Sequence, residues 1–255
     1  MRQRLNFMSR FAFNLDSIAA SLSTPLLVVM PVYNEEANIE NVIAHWSQSL
    51  RDLRIAFQIL VLDDGSRDRT HEILLELETQ QPQVICVLSK PNGGHGSTCR
   101  IGYDIALRAN AEWILQIDSD GQCDPQFFAQ FWRQRENYDC LFGERVSRDD
   151  GLWRTFVSIA CREALRLFSG VSIADPNVPY RLMSRVTLAR ALTKIPCDFD
   201  LQNIALALVL KRDRAVRFGF IPIHFRARRA GRNSLNLSQI IRLGWKMLAD
   251  LKRIR

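Results

Sequence analysis

The stretch WILQIDSDGQCDPQFF (113–128) runs from an apolar segment into two acids and then into the start of a helix. In extended chain, residues two apart point to the same side, so Asp118 and Asp120 can aim at one point where the strand leaves the core. Two carboxylates held together repel unless something positive sits between them, and a hard divalent cation with oxygen ligands meets that need. Turn chemistry is the competing reading. Asp, Ser and Gly favour turns, and Asp124-Pro125 is a good helix start.

The same pattern repeats upstream. LLVVMPV (26–32), FQILVLD (57–63), QVICVL (83–88) and WILQI (113–117) are near-continuous apolar runs. Helical spacings separate them, first at Ile39, Val42, Ile43 and Trp46, then at Ile73, Leu74 and Leu77, then at Ile101, Ile105 and Leu107. The alternation predicts an α/β fold with a Rossmann-like, mostly parallel sheet and helices on both faces. Sheets of this kind bind ligands at the carboxyl ends of their strands. Tyr33 to Glu36, Asp63 to Ser66, Asn92 to Ser97 and Asp118 to Asp120 all lie at such ends. Four polar loops on one edge are better explained by a single cleft than by four unrelated turns.

The second half is less regular. Residues 152–168 and 199–212 read as helices, 174–184 as a constrained loop and 217–225 as a strand. The economical organisation is an N-terminal arm (1–24), one catalytic domain (25–225), and a basic loop with an amphipathic helical appendage (226–255). Six cysteines without a C-x-x-C spacing suggest reduced thiols and a cytoplasmic setting. No segment reads as a membrane span, and the leader (1–17) lacks the apolar run of a signal peptide and reads as a loose arm.

Charge is unevenly placed. From Lys211 onward there are thirteen Lys or Arg against two acids, whereas residues 1–210 carry twenty-one bases against twenty-five acids. The excess of +7 therefore belongs to the C-terminal end, as a local anion- or membrane-surface feature.

Asp63 and Asp64, followed by Gly65, can accept hydrogen bonds from a base N–H or a ribose hydroxyl, or can make an Asx-turn. The loop Asn92-Gly93-Gly94-His95-Gly96 lets backbone approach a ligand closely, and the helix after it presents N–H groups that suit a diphosphate or a sugar. It is neither a Walker loop nor a dinucleotide fingerprint. His95 reads as a polar loop residue.

VVMPVYNEEANI, ILVLDDGSRDRT, KPNGGHGSTCRIGYDIA and WILQIDSDGQCDP, in this order, resemble the family 2 glycosyltransferases of GT-A fold over roughly residues 26–130. More loosely, the later part looks like the polyprenyl-phosphate sugar synthases, the dolichyl-phosphate mannose synthase-like subgroup. The resemblance implies a metal-dependent, inverting transfer from a nucleoside-diphosphate sugar. It implies a nucleoside pocket of Pro31, Tyr33, Glu35 and Asp63 or Asp64, with Gly96 and Ser119 also on the donor. It implies Mg²⁺ or Mn²⁺ on Asp118 and Asp120, neutralising the departing diphosphate.

The nucleophile sets what else is needed. A hydroxyl requires a general base, whereas a phosphate arrives already ionised. There is no Q-x-x-R-W signature, which leaves Asp175, Asp198 and Asp200 as candidate bases, each of them a cap or turn residue on the bland reading. Val178-Pro179-Tyr180-Arg181 stands where the lipid-phosphate subgroup often carries Ser-Gly-Phe-Arg, which makes Arg181 a catalytic and acceptor candidate. Arg226, Arg228, Arg229 and Arg232, with Asn233-Ser234, form a cationic loop suited to phosphate oxygens, so Arg229, Arg232 and Ser234 join the acceptor candidates.

Leu237, Ile240, Ile241, Gly244, Leu248 and Leu251 then line one helical face opposite a basic one. Such a helix fits a peripheral position at the cytoplasmic membrane surface, or docking on the sheet or on a second subunit of a homo-oligomer. The expected acceptor is a polyprenyl phosphate. The alternatives are a hydroxyl of a glycan or lipid-linked saccharide, or nucleotide-sugar binding without turnover. No nucleic-acid partner is expected, since the basic loop lacks interleaved aromatics.

Overall fold

The computed structural model describes residues 14–146, 173, 175–197, 199 and 201–226. Helix α1 (Leu15–Ala20) precedes β1 (Leu26–Val32), α2 (Ile39–Asp52), β2 (Phe57–Asp63), α3 (Thr70–Gln80), β3 (Ile85–Ser89), α4 (His95–Arg108) and β4 (Trp113–Gln116). A 3₁₀ turn (Pro125–Phe127) leads into α5 (Phe128–Gln134), followed by β5 (Cys140–Arg145), β6 (Arg181–Ser184), α6 (Arg185–Leu192), α7 (Gln202–Arg212) and β7 (Phe218–Ile223).

The strands form one sheet in the order β3-β2-β1-β4-β6-β5-β7. Its first four members are mutually parallel, with β1 between β2 and β4. β6 runs antiparallel to both of its neighbours, and β7 pairs parallel to β5. All seven residues of β1 are buried, as a parallel strand covered on both faces should be. The polar loops therefore do share one edge, because the parallel register brings the ends of β1, β2, β3 and β4 side by side.

Three segments differ from the sequence expectation. Residues 181–184, placed within a loop, are β6, in the interior of the sheet. They are only four residues long and begin with a buried arginine, so no apolar run marks them. β5 was not anticipated either, being a short CLFGER run broken by Gly143. The arm is not loose from Asn14 onward: Ala19 and Leu22 are buried, Arg108 pairs with Asp16, and the Ser23 N–H donates to Gln58 Oε1 at 2.8 Å. The expected helix at 152–168 and the C-terminal helix lie outside the described residues.

α4 holds the site's glycine-rich loop against the sheet, and Gly102 is where it comes closest. A Cβ built there would stand 2.4 Å from Val29 Cγ1 and 3.0 Å from Leu62 Cδ1. Gly102→Ala should destabilise the fold by about 2 kcal/mol, because overpacking outweighs the roughly 1 kcal/mol gain in helix propensity. Urea denaturation checks this, and unchanged or raised stability would mean that the helix has room to spare.

Candidate active site

β4 ends at Gln116, and the Ile117 N–H still donates to Val29 O at 3.2 Å before the chain leaves the sheet. Asp118 and Asp120 follow, both half-buried, with Ser119 buried between them. Asp118 Oδ1 accepts from Gln116 Nε2 at 3.3 Å and lies 2.9 Å from His95 Nε2. Asp120 Oδ1 accepts the Gln122 N–H at 3.1 Å. Burial pushes the Cys123 thiol well above its ordinary pKa, and Asp118 and Asp120 both push it further, so the two carboxylates act on a common neighbourhood.

Among the described residues no three His, Cys, Asp or Glu side chains converge as a ready cage for an ion. Two hard carboxylates at one strand end fit Mg²⁺ or Mn²⁺ that completes its shell with phosphate oxygens and water.

His95 is more than a polar loop residue: it opens α4 and is the closest partner of Asp118. Nearly half of its side chain meets solvent, yet protein crowds the rest of it. Burial opposes the charged ring, but Cys99 and Asp118 outweigh it and hold the imidazole well above its usual pKa. A motif search aimed at carboxylates passes over this contact, because the histidine comes from a different strand end, 23 residues away.

Asp63 and Asp64 end β2 with different jobs. Asp63 Oδ1 takes the Ser66 N–H at 3.0 Å, an Asx-type turn, while Oδ2 faces Ser89 Oγ and His71 Nδ1, each at 3.4 Å. One nitrogen of His71 serves both neighbours, so this Ser-His-Asp cluster is not a proton relay of the protease kind, which uses opposite ring nitrogens. Asp64 is a buried staple. Its Oδ1 pairs with Lys90 and accepts the Gly93 N–H at 2.8 Å, and its Oδ2 accepts the Gly94 N–H at 2.8 Å. Two amides of the loop expected to approach a ligand are therefore already taken by the chain's own carboxylate. Gly65, with a φ of +70°, presses against this loop, since a Cβ there would sit 2.9 Å from the Asn92 amide nitrogen.

The remaining candidates fall into three places. Pro31 is buried at the end of β1, Tyr33 is 40% exposed just beyond it, and Glu35 is buried, accepting from Asn38 Nδ2 at 2.7 Å and fixed through its N–H to Thr70 Oγ1 at 2.8 Å. Gly96 is buried in the first turn of α4. Asp175 is buried and pairs with Arg145, whose guanidinium lies 4.8 Å from the Phe225 ring.

Arg181 has no exposure at all. Its three nitrogens donate to Val178 O, Asn203 O and Pro176 O at 2.7, 2.8 and 2.9 Å, and it stacks 4.5 Å over Phe142. In this arrangement the guanidinium is spent on holding the 175–178 loop to α7, and burial lowers its pKa. Asp198, Asp200, Arg229, Arg232 and Ser234 lie outside the described residues. Arg226 is described. Its N–H donates to Gln122 O at 3.1 Å and its Nε to Asp124 Oδ2 at 2.6 Å, so the basic stretch begins beside the Asp118–Asp120 loop.

The Asp64 staple has a measurable worth. Asp64→Asn removes the charge opposite buried Lys90 and should cost about 3 kcal/mol of stability in denaturant unfolding, the range for a broken buried pair. A loss under about 0.5 kcal/mol, typical of an exposed pair, would show that the loop is held by other means.

Residues 27–192 match the profile of Glycosyl transferase family 2. An uncharacterized glycosyltransferase of Synechocystis is 28% identical over 177 residues, covering 69% of this chain and 54% of its own length. The undecaprenyl-phosphate 4-deoxy-4-formamido-L-arabinose transferase of Pseudomonas aeruginosa is 30% identical over 160 residues, covering 62% of this chain and 46% of its own. The chain thus spans about half the length of the curated relatives it matches.

Among solved structures, the glucosyl-3-phosphoglycerate synthase of Mycobacterium tuberculosis, in complex with Mn²⁺, uridine diphosphate and phosphoglyceric acid, superposes with a TM-score of 0.64 at 22% identity. It covers 94% of this chain and 81% of that one. The mannosyl-3-phosphoglycerate synthase of Rubrobacter xylanophilus gives a TM-score of 0.66 at 16% identity, covering 95% and 80%. These likenesses establish the GT-A fold, and with the profile spanning most of its length the chain belongs to glycosyltransferase family 2.

Proposed function

We propose that the protein transfers a sugar from a nucleoside-diphosphate sugar to a polyprenyl phosphate, using a divalent cation held by Asp118 and Asp120. The observation that carries this reading is the pair of carboxylates at the end of β4, in the middle of the sheet, beside a glycine-rich loop that the Asp64 carboxylate holds in place. A bound Mg²⁺ or Mn²⁺ supplies Lewis-acid neutralisation of the charge that develops on the departing nucleoside diphosphate. The chain's own contribution is placement. Tyr33 offers an exposed ring beyond β1, Glu35 and Asp63 offer carboxylates set by the neighbouring loops, and the first turn of α4 faces the same edge.

A phosphate acceptor needs no general base, which accords with Asp175 being spent on Arg145. Arg226, tied to Gln122 and Asp124, brings a guanidinium to the site's rim. The names of the Pseudomonas relatives point to the same acceptor class.

Nucleoside diphosphate release is the assay. With undecaprenyl phosphate in detergent, release should rise well above the rate without acceptor and should stop with EDTA. Asp120→Asn should lower turnover on the order of 10²–10³-fold, as loss of a main electrostatic stabiliser does. Equal release with 3-phosphoglycerate or a saccharide would reassign the acceptor. Donor binding with no release for any acceptor would favour a binding protein, and indifference to EDTA would end the metal reading.

A further inference from the structure

β4 buries Ile114, Leu115 and Gln116, and Gln116 has no exposure. An apolar residue would fill this core position, and an amide is tolerated there only if both of its ends are bonded. Both are. Gln116 Oε1 accepts from the Tyr103 hydroxyl at 3.4 Å, and Nε2 donates to Asp118 Oδ1 at 3.3 Å. Gln116 and Asp118 are two residues apart and share a face, while Tyr103 stands fully buried on α4. Burial pushes the Tyr103 hydroxyl well above its ordinary pKa, so it keeps the proton it donates to Oε1. An ionised carboxylate can only accept, so the NH₂ faces Asp118 and Oε1 is left to accept from Tyr103, which fixes the flip. His95, from the first turn of the same helix, approaches the same oxygen at 2.9 Å. Both contacts fall on Oδ1, and among the described residues none falls on Oδ2.

We propose that Gln116, oriented by Tyr103, is a positioning residue that locks the Asp118 side chain so that Oδ2 is presented to the divalent cation. The inference rests on the metal reading of Asp118 and Asp120 and extends it one layer into the core. A merely structural amide would serve the fold equally well with Asp118 in any rotamer, and that difference is measurable.

The experiment is an electron paramagnetic resonance titration of the full chain with Mn²⁺ alone, for wild type, Gln116→Met, Tyr103→Phe and the double variant, with thermal unfolding of each. Gln116→Met keeps the volume and removes the donor. Tyr103→Phe keeps the ring and removes the hydroxyl, and it carries the test if Gln116→Met does not fold. The expected result is a Mn²⁺ Kd raised on the order of 10-fold in Gln116→Met, the lower end of what loss of a ligand's supporting hydrogen bond costs. Tyr103→Phe should show a smaller rise, and the double variant should be no worse than Gln116→Met alone, since the two act in series.

Wild-type Mn²⁺ affinity retained in both single variants, with only the melting temperature lowered, overturns the positioning role and leaves the metal site standing. Losses that add in the double variant overturn the coupling through Tyr103. A wild-type chain that binds no Mn²⁺ removes the metal site, and this inference with it.

Discussion

Asp64 carries a charge that folding takes out of water, and three donors answer it: the Lys90 ammonium and the amides of Gly93 and Gly94. A buried carboxylate is tolerated only in such company, and its partners are obliged to come to it. The end of β2 and the loop after β3 are thus one unit. That loop opens α4, and α4 lies so close to β1 and β2 that Gly102 has no room for a Cβ. The placement of His95 over Asp118 is a consequence of the same chain of contacts. Loosening any link would move the histidine relative to the carboxylate it meets.

The shared edge of polar loops was legible in the sequence because parallel strands buried on both faces are largely apolar, and each apolar run stops where the polar loop begins. β1, β2 and β4 show this directly. What could not be read was the division of labour between adjacent residues. Asp63 and Asp64 look interchangeable on paper, yet one closes a turn and the other is sunk into a staple, a difference set by which side of β2 each faces. Arg181 likewise reads as an acceptor-binding cation and proves to be wholly buried, because the carbonyls of Pro176 and Val178 just upstream and that of Asn203 on α7 take its donors. β5 and β6 escaped notice for a related reason. Four to six residues containing a glycine or a buried arginine leave no periodic signal, and their strand identity comes from neighbours on either side.

His95 shows the limit of motif reading in another way. Its sequence neighbours are glycines, which suggest a flexible polar loop. The structure uses those glycines to bend the chain tightly, with Gly94 at a φ of +85°, so that the next side chain reaches back over β4. Glycine here sets a direction more than it confers freedom.

The ion pair between Arg145 and Asp175 joins the end of β5 to the entry of β6, and twenty-nine residues lie between the two. Both residues stand at the carboxyl edge of the sheet, because β6 alone runs against its neighbours. The clasp fixes two points of the chain at this edge, and the entropy cost of bringing such points together depends only weakly on their separation in sequence, about 0.6 kcal/mol for a doubling. A change in the number of residues between Arg145 and Asp175 is therefore a small cost to the four parallel strands and their carboxylates, which lie on the other side of β6.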